Sequence, residues 1–465
     1  MLSRLRLNQF FNNPVKFFIA LSLIFGSLFL IITPPFQGAD EVVHYYRAYQ
    51  VSEGRFISEY DSKTAGGHLP ESLGKIIAIT NSPVIATYPQ NKYNEHRTLS
   101  ALKVNTNDKL KYYQFSAAAS YNPVAYILSS LGMLVSRLLH LPTLLSLYVA
   151  RLGNLMTWII LGSLSIYFLP YRKWVLVAIG LLPMALFEAS TINGDAVTIG
   201  SLMLLFSLIL NYRTKNVQLN TKHILLLGVL SIVLVLSKEI MFIFLPLILL
   251  LKKSNFKSTR QSIIIKLCLI IIPIILFLGW LYITRNINSV SIYYNHQNPS
   301  QQISYIVHQH LNYINTLWNT YFYAWGDNIT RSFIGVFGWA DTPLSELIVS
   351  LGYISLAFLY LVNYDRQKYE LNKNEKVLLI SLLLIYTIAL SSALYVYYSP
   401  LHFKIVYGLQ GRYYLPIAII SIILLPIQSI KTSQRLYLSV AKILPVMLLC
   451  VSLITIYVRY FIHNV

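Results

Sequence analysis

Apolar runs of membrane-spanning length recur along this 465-residue sequence and constrain its fold more than any other feature. The first run, "VKFFIALSLIFGSLFLII", leads directly into "TPPFQGADEVVHYYRAYQ". About 18 apolar residues in a helix can cross the hydrocarbon core of a bilayer, which is roughly 30 Å thick. Such runs span as α-helices because the backbone must satisfy its own hydrogen bonds in lipid. Since the short alternating segments of a membrane barrel do not occur, the sequence predicts an all-α polytopic membrane protein.

The composition agrees with a membrane protein and argues against a nucleic-acid partner. Hydrophobic residues make up 55% of the chain and charged residues 12%, whereas soluble domains carry about 25% charged residues. The net charge is +20, but most Lys and Arg residues lie in short clusters between apolar runs, as cytoplasmic loops do. Cys268 and Cys450 both lie within apolar runs, so neither a disulfide framework nor a zinc site is predicted.

The basic clusters predict which side of the membrane each loop occupies. Arg4, Arg6 and Lys16 flank the first run, which places the N-terminus in the cytoplasm, and no small-residue cleavage site follows. The remaining basic clusters all fall on the cytoplasmic side only if the apolar run near residue 130 does not span. We therefore predict that 123–139, which contains Arg137, is an amphipathic juxtamembrane helix in the outer interface.

This topology predicts about eleven transmembrane helices in a single domain, 1–465. The predicted spans are 16–33, 144–169, 174–191, 196–212, 222–237, 240–252, 262–283, 346–363, 376–394, 413–430 and 438–460. Two large extracytoplasmic loops result, at 34–143 and at 284–345, and a smaller one lies near 395–412.

Unusual polar residues collect at the predicted outer ends of these spans. They are Asp40, Glu41, His44, Arg47, Asn193, Asp195, Lys238, Glu239, Asp341, Gln410 and Arg412. Ionisable groups at membrane depth are costly and often mark a functional site. Arg151, one turn into an apolar run, needs either a partner or the membrane interface, and its role is left open.

The first acidic pair has two possible interpretations. Asp40 and Glu41 stand where a helix would begin after Pro34 and Pro35, so they are either a helix cap or part of a site. Asp40 lies four residues before His44 and seven before Arg47, which puts all three side chains on one helical face. That face is either a surface ion-pair ladder or a base held near a phosphate.

The other outer residues are equally open at this stage. Asp195 caps a helix or belongs to a site, and Lys238 pairs with Glu239 at a tight turn or belongs to that site. Arg412 extends to the headgroups or binds a phosphate. Asp341 forms a turn or contributes to the site. The 35 tyrosines are more typical of interfacial belts than of sugar stacking.

Six segments of the sequence together carry a resemblance to a known family. They are "PPFQGADEVVHYYRAYQVSEG", "SYNPVAY", "EASTINGDA", "LSKEIMFIFLPL", "FGWADTP" and "YGLQGRYYLP", in this order. The chain resembles bacterial polytopic membrane proteins of domain-of-unknown-function family 2142. That family in turn resembles the GT-C glycosyltransferases, membrane enzymes that use polyprenyl-phosphate-linked sugars.

The resemblance implies a GT-C-like fold and an activity. In GT-C enzymes the first span leads to an acidic motif, juxtamembrane helices follow, and a second acidic position comes after two more spans. Asp40 and Glu41 match the first position, 123–139 matches the juxtamembrane helix, and Asp195 matches the second position. The implied reaction is an inverting transfer of a sugar from a polyprenyl-phosphate donor to an extracytoplasmic glycan of a bacterial cell envelope.

This reaction suggests roles for the outer residues. A carboxylate must take the proton of the acceptor hydroxyl, and cations must stabilise the leaving phosphate. We expect Asp40 to be the general base, with Glu41 orienting it or binding the acceptor. Arg412, together with Arg47 or Lys238, would bind the donor phosphate. The predicted substrate-binding residues are His44, Asn193, Asp195, Glu239, Asp341 and Gln410.

A metal ion and other functions stay open from the sequence. Asp40 and Asp195 would share a divalent ion if one is used, and oxygen ligands would favour Mg²⁺ or Mn²⁺ over zinc. The prenyl tail would lie in an apolar groove between spans, in contact with membrane lipid. Rival functions are a transporter or flippase of lipid-linked saccharides, a polysaccharide polymerase or ligase, and a non-enzymatic scaffold of the cell envelope.

Overall fold

The computed structural model describes residues 11–61, 63–107, 109–290, 298–324, 326–362, 371–424 and 433–462. The first helices are α1 (Pro14–Ile32), α2 (Glu41–Ser52), α3 (Glu71–Ile79), α4 (Ser82–Thr87), α5 (Glu95–Ala101), α6 (Ser116–Ala119), α7 (Ile127–Leu138), α8 (Thr143–Phe168), α9 (Lys173–Gly180), α10 (Pro183–Ala189), α11 (Asp195–Thr214) and α12 (Thr221–Ser237). The later ones are α13 (Thr259–Ile283), α14 (Arg285–Ser289), α15 (Pro299–His308), α16 (His310–Asn319), α17 (Gly326–Ile334), α18 (Glu346–Leu361), α19 (Lys373–Tyr397), α20 (Leu415–Ser421) and α21 (Gln434–Phe461).

Shorter elements and two small sheets complete the fold. Single 3-10 helices cover Pro123–Tyr126, Glu239–Leu250, Lys253–Asn255 and Gly411–Tyr414, and a π-helix covers Thr320–Ala324. One antiparallel sheet has the strand order β1 (Glu59–Tyr60), β2 (Ala65–Pro70) and β3 (Leu110–Gln114). A second antiparallel pair is formed by β4 (Val336–Phe337) and β5 (Thr342–Pro343). The sequence analysis predicted none of these strands.

Six helices in the described part of the chain are long and apolar enough to cross a membrane. They are α1, α8, α11, α13, α19 and α21. These helices agree with the predicted class of helical membrane protein. The predicted number of eleven spans is not confirmed, because several of the predicted spans are shorter or interrupted helices.

The interruptions have a local cause in proline. The predicted span 174–191 is divided into α9 and α10, because Pro183 forces the preceding Leu182 into an extended conformation with ψ of 135°. The predicted span 240–252 is a 3-10 helix that contains Pro246. Of the predicted span 413–430, the structure describes α20 and the residues up to 424, and 425–432 lie outside the described residues.

Helix α8 packs against α1, α7 and α11, and it brings the first loop onto the membrane helices. A Cβ atom at Gly153 of α8 would lie 2.3 Å from the carbonyl oxygen of Leu128 in α7, so only glycine allows this approach. Of the apolar 18-residue stretch of α11, 94% is buried inside the protein, so this helix lies at the centre of the bundle. The predicted juxtamembrane helix 123–139 is helical as Pro123–Tyr126 and α7, and its place in the membrane interface stays a prediction.

Candidate active site

A buried ion pair fixes the chain where the first predicted span ends. Arg151 of α8 donates to both carboxylate oxygens of Glu41, at 2.7 and 2.6 Å, and both side chains are fully buried. The same guanidinium donates to the carbonyl oxygens of Leu30, Thr33 and Pro34 at 2.8–3.0 Å. Leu30 is in the last turn of α1, whose carbonyls lack partners inside the helix, and Thr33 and Pro34 follow that turn directly. Arg151 therefore ties the end of α1 to the start of α2.

Glu41 also ties this turn to the segment between α10 and α11. Its carboxylate accepts the backbone N–H of Ile192 at 3.1 Å and the backbone N–H of Gly38 at 3.3 Å. With Arg151 on the same oxygens, the Glu41 side chain is fully engaged inside the protein. The structure therefore places Glu41 behind the site, as an anchor for the residue that precedes it.

That preceding residue, Asp40, has a carboxylate that forms no hydrogen bond or ion pair with the residues that the structure describes. Asp40 is exposed and adopts a left-handed conformation with φ of 57°, which is uncommon for a residue other than glycine but tolerated by aspartate. Its side chain caps no backbone N–H of α2. None of the ion pairs in the described ranges involves it.

The Asp40 carboxylate lines a small polar cavity of about 60 Å³. The cavity lies where α2 and α11 begin and α10 and α12 end, at the end of the bundle that the topology predicts to face outward. Its polar lining consists of Asp40, His44, Tyr121, Glu188, Asn193, Asp195, Thr198, Lys238, Arg412 and Tyr413. Residues far apart in sequence thus form one site.

Two cations line this cavity, and each is held by a carboxylate. The Lys238 ammonium lies 3.0 Å from the Asp195 carboxylate. Arg412 forms an ion pair with Glu188, and both of these side chains are buried. The Tyr413 ring lies 4.9 Å from the Lys238 nitrogen and 5.4 Å from the Arg412 guanidinium carbon, so it contacts both cations.

One donor of Arg412 is left over. Its buried Nε–H has no acceptor in the part of the chain that the structure describes. A buried donor without a partner is costly, and such groups are rare in folded proteins unless a ligand or water completes them. The cavity therefore contains a guanidinium group with an unused N–H that can bind an anion.

Asn193 orders the two acidic partners. Its side-chain Nδ2 donates to the Glu188 carboxylate at 2.9 Å, and its Oδ1 accepts the backbone N–H of Asp195 at 2.9 Å. Asn193 thus fixes Glu188 and Asp195 relative to each other, and through them Arg412 and Lys238. The cations are positioned by the protein rather than by a ligand.

The cavity stabilises one protonation state of His44 and one of Lys238. Burial lowers the pKa of His44, although the negative charges of Asp40 and Asp195 oppose this effect, so the ring is neutral at neutral pH. Burial alone would lower the pKa of Lys238, but the Asp195 carboxylate and the neighbouring tyrosines together outweigh it, and the pKa is raised. Lys238 is therefore firmly charged. Its charge is available for an anion in addition to Asp195.

A buried tyrosine determines which nitrogen of His44 carries the proton. The Nδ1 atom of His44 and the Tyr126 hydroxyl are 2.6 Å apart, and Tyr126 is fully buried. Burial raises the pKa of Tyr126, so it keeps its proton. The phenol has no other acceptor among the described residues, so we infer that it donates to Nδ1 and that Nε2 carries the imidazole proton. His44 is then a hydrogen-bond donor at Nε2.

Six of the predicted site residues meet in the cavity, namely Asp40, His44, Asn193, Asp195, Lys238 and Arg412. Arg47 does not line it. Arg47 is buried and donates to Gln50 and to the carbonyl oxygens of Phe56 and Tyr121. Burial lowers its pKa to about 10, which still leaves it charged at neutral pH. It orders the chain behind Tyr121 and lies outside the phosphate-binding cations of the cavity.

Three further predicted residues lie at other places. Glu239 is next to the cavity but lines an adjoining apolar groove. The Asp341 carboxylate accepts from Arg459 of α21 at 2.7 Å, which ties the second large loop to the last helix. Gln410 directly precedes the 3-10 helix Gly411–Tyr414 and does not line the cavity.

Three residues that line the cavity, Glu188, Tyr121 and Tyr413, were not predicted from the sequence. Of these three residues, Glu188 could most easily have been predicted from the sequence, because a carboxylate within an apolar run is energetically costly and requires a partner. Tyr121 and Tyr413 gave no comparable signal, since tyrosine is abundant throughout this chain. Their position depends on how α12, α13 and the segment before α20 pack together.

An apolar groove of about 270 Å³ adjoins the polar cavity and shares Tyr121, Lys238 and Tyr413 with it. Its apolar lining comes mainly from two candidate spans, with Phe277, Trp280 and Leu281 from α13 and Leu390, Ala393 and Leu394 from α19. The Trp280 indole N–H donates to the carbonyl oxygen of Ser120 at 2.9 Å, which fixes the rim. A polar headgroup site and an apolar slot therefore lie side by side.

The side chains of the described residues do not form a metal site in the cavity by themselves. No group of three or more His, Cys, Asp or Glu side chains within the described ranges is arranged to hold a metal ion. Asp40 and Asp195 line the same cavity, but Asp195 is already paired with Lys238. The reaction at this cavity is therefore derived from its side chains, without Mg²⁺ or Mn²⁺.

Comparison with known proteins gives one match. A family model described as "Predicted membrane protein (DUF2142)" matches residues 23–421. This range includes every residue of the polar cavity and confirms the family predicted from the sequence motifs. Searches of curated proteins and of solved structures each returned no match. The likeness to GT-C enzymes stays a prediction.

Proposed function

The chain belongs to the DUF2142 family of predicted membrane proteins, and from this premise we propose that it is a GT-C-type membrane glycosyltransferase. A sugar passes from a polyprenyl-phosphate donor to a hydroxyl group of an extracytoplasmic cell-envelope glycan in the bacterial plasma membrane. One observation carries the proposal: the unpaired Asp40 carboxylate lines the same cavity as two fixed cations, next to an apolar groove.

Asp40 is the general base of the proposed reaction. The acceptor oxygen attacks the anomeric carbon while its proton passes to the Asp40 carboxylate. The bond between the anomeric carbon and the phosphate oxygen breaks, and its electron pair stays on the polyprenyl phosphate. A single displacement of this kind inverts the anomeric configuration. Base catalysis of this type contributes about 10²- to 10⁴-fold to a rate.

Lys238 and Arg412 bind the donor phosphate in this scheme. Negative charge grows on the phosphate as the bond breaks, so fixed cations lower the energy of the transition state more than that of the ground state. The unused Nε–H of Arg412 supplies a charge-assisted hydrogen bond to a phosphate oxygen. Phosphate is a good leaving group, so no general acid is needed.

Glu188, Asp195 and Asn193 position these cations before the donor arrives. Their contacts keep Arg412 and Lys238 within the cavity in the absence of phosphate. A preorganised charge costs little reorganisation at the moment of reaction, which is how such sites reach their effect. His44 offers its Nε2–H as a neutral donor to the sugar or the phosphate.

The apolar groove between α13 and α19 holds the first part of the prenyl chain. A prenyl tail gains little hydrophobic free energy there, because it leaves a lipid environment of similar polarity. The groove therefore orients the donor, and the phosphate contacts supply most of its affinity. This separation agrees with a polar cavity and an apolar slot that share Lys238 and Tyr413.

The proposal is tested by a transfer assay with purified protein in lipid nanodiscs. Polyprenyl-phosphate sugars of several hexoses serve as donors, and isolated cell-wall glycans serve as acceptors. Wild type should transfer sugar, and Asp40→Asn should lose about 10²- to 10⁴-fold in rate while staying folded. Asp327→Asn is the control for loss of an exposed carboxylate, because the Asp327 side chain is 73% accessible and pairs with Arg331 outside the cavity.

Two outcomes would contradict the proposal. Absence of transfer by wild type with every donor would remove the enzymatic function. The same protein, reconstituted in vesicles, would then be tested for movement of lipid-linked saccharides. Full activity of Asp40→Asn would remove the assigned base even if transfer occurs. A membrane polymerase or ligase would use a saccharide linked to a polyprenyl diphosphate. The transfer assay is therefore also run with a donor of that class.

A further inference from the structure

Two polar cavities lie next to each other on the first loop, at a distance from the candidate active site. The larger has a volume of about 810 Å³ and the smaller about 430 Å³. Both are lined by Asn105 and Asn107, so they adjoin each other. We call the two together the basic groove. None of the catalytic assignments above involves it.

Among the residues that the structure describes, the lysines of the basic groove form no ion pair, whereas its acidic residues are paired. Lys75, Lys103 and Lys111 line the larger cavity, and all three are exposed. No ion pair among the described residues involves any of them. By contrast, the Glu71 carboxylate on the same lining lies 3.1 Å from the Lys109 ammonium, which neutralises it.

The smaller cavity has the same charge pattern. Its acidic lining residue, Glu53, is paired with Arg55. Its basic lining residue, Arg137, donates to the backbone carbonyl and the hydroxyl of Ser52, lies 5.5 Å from the Tyr49 ring, and forms no ion pair within the described ranges. The Arg137 charge is therefore held in place but not neutralised. The whole groove has an excess of positive charge along its length.

The groove also offers hydrogen-bonding groups of the kind that bind sugars. Asn105, Thr106 and Asn107 are exposed, and the Tyr113 ring lines the larger cavity. Amide groups donate to and accept from hydroxyl groups. The Tyr113 ring stacks on Tyr46, and the Lys111 ammonium lies 6.0 Å from its centre. Cations interleaved with these groups suit a chain of sugars or polyols that carries phosphates.

Helix α2 connects the basic groove to the candidate active site. Asp40 precedes its first residue, while Tyr49 and Glu53, near its end, line the smaller cavity. A rise of 1.5 Å per residue puts these two residues about 14 and 20 Å from Asp40 along the helix axis. A single sugar at Asp40 cannot reach the groove. An extended polymer is long enough to reach from one place to the other.

We propose that the basic groove binds the acceptor, and that this acceptor is a polyanionic glycan or polyol chain with repeated phosphate groups. The proposal rests on the glycosyltransferase function and adds the class of acceptor. The groove holds several repeats of the chain through Lys75, Lys103, Lys111 and Arg137. A hydroxyl group further along the same chain then reaches Asp40.

Binding is measured with the full-length protein in nanodiscs of zwitterionic lipid. The probes are fluorescent poly(glycerol phosphate) chains of several lengths, and dextran serves as the uncharged control. The test variant is Lys75→Gln/Lys103→Gln/Lys111→Gln. The matched control is Lys63→Gln/Lys404→Gln, which removes exposed lysines on the predicted outer side that do not line the groove.

Wild type should bind the long anionic chains, and its affinity should fall as the salt concentration rises. The triple variant should bind them roughly tenfold more weakly, since three exposed charge contacts are lost, and the control variant should match wild type. In the transfer assay the triple variant should show a raised KM for the anionic acceptor, with kcat and the KM for the donor unchanged.

The outcomes separate this inference from the proposed function. Asp40→Asn should still bind the polymer, so binding does not depend on transfer. Equal polymer binding by the triple variant and its control would overturn the acceptor proposal and leave glycosyl transfer standing. A different result would be that neither wild type nor any variant binds the polymer, while the triple variant alone loses binding to vesicles that contain anionic lipid. The groove would then contact the membrane surface, and the proposal fails.

Discussion

The buried pair of Arg151 and Glu41 gives the sharpest prediction, because it can be perturbed from either side. Arg151→Met removes two charge-assisted contacts to Glu41 and three contacts to carbonyl oxygens at the end of α1. Glu41→Gln keeps the shape of the side chain and removes only its charge. The double variant removes both charges from the same buried position.

The structure determines how much free energy of unfolding each variant should lose. Arg151→Met leaves the fully buried Glu41 carboxylate without its cation, which should lower the free energy of unfolding by about 3–5 kcal/mol. Glu41→Gln leaves Arg151 with its three carbonyl acceptors and should cost less, about 1–3 kcal/mol. The double variant has no unpaired buried charge. Its loss should be smaller than the sum of the single losses by about 2 kcal/mol.

The assay is an unfolding titration in mixed micelles, in which a denaturing detergent replaces a mild one. Wild type, the two single variants and the double variant form a complete cycle. Losses that add up to within about 0.5 kcal/mol would refute the reasoning, because they would mean that the two charges do not interact in the folded protein. Glu41 also accepts the backbone N–H of Ile192, three residues before Asp195. The single variants should therefore lower kcat and leave the KM for either substrate nearly unchanged.

Three further results are expected from the site. Arg412→Lys keeps the charge but removes the planar fork, so kcat/KM for the lipid donor should fall about ten- to hundredfold in initial-rate measurements. Ala393→Trp places a large ring at an exposed position of the apolar groove, so transfer from long-chain donors should fall more than transfer from short-chain donors. The pKa of His44 is lower in the folded protein than in the unfolded chain. As the pH falls below about 6.5, His44 is therefore protonated in the unfolded chain before it is protonated in the folded protein. Stability should therefore decrease between about pH 6.5 and 5, and His44→Gln should make unfolding titrations across this range flatter.

The sequence by itself determined the class of the protein, its family and the position of most cavity residues. Long apolar runs must form helices in lipid, and a charged residue at the end of such a run is costly enough to be informative. For this reason Asp40, Asp195, Lys238 and Arg412 could be predicted without coordinates. Each of them lies where a helix begins or ends, and that position can be read from the sequence alone.

Only the tertiary structure decided which charges are used and which are already paired. Glu41 meets Arg151 across 110 positions of sequence, and Arg412 meets Glu188 across 224. No local pattern records such a pairing, because it depends on how helices pack against one another. The sequence treated Asp40 and Glu41 as one acidic pair. The packing of α8 buries the second carboxylate and leaves the first one free.

The structure also decided features that depend on short or distant segments. Strands β2 and β3 are separated by three helices, and their alternation is too short to be recognised without the partner strand. The basic groove arises from residues on α3, β3, α7 and the segment that follows α5, so its excess of positive charge is invisible along the chain. Hydrophobicity is a property of each segment and can be read locally, whereas the pairing of charges is a property of the folded protein.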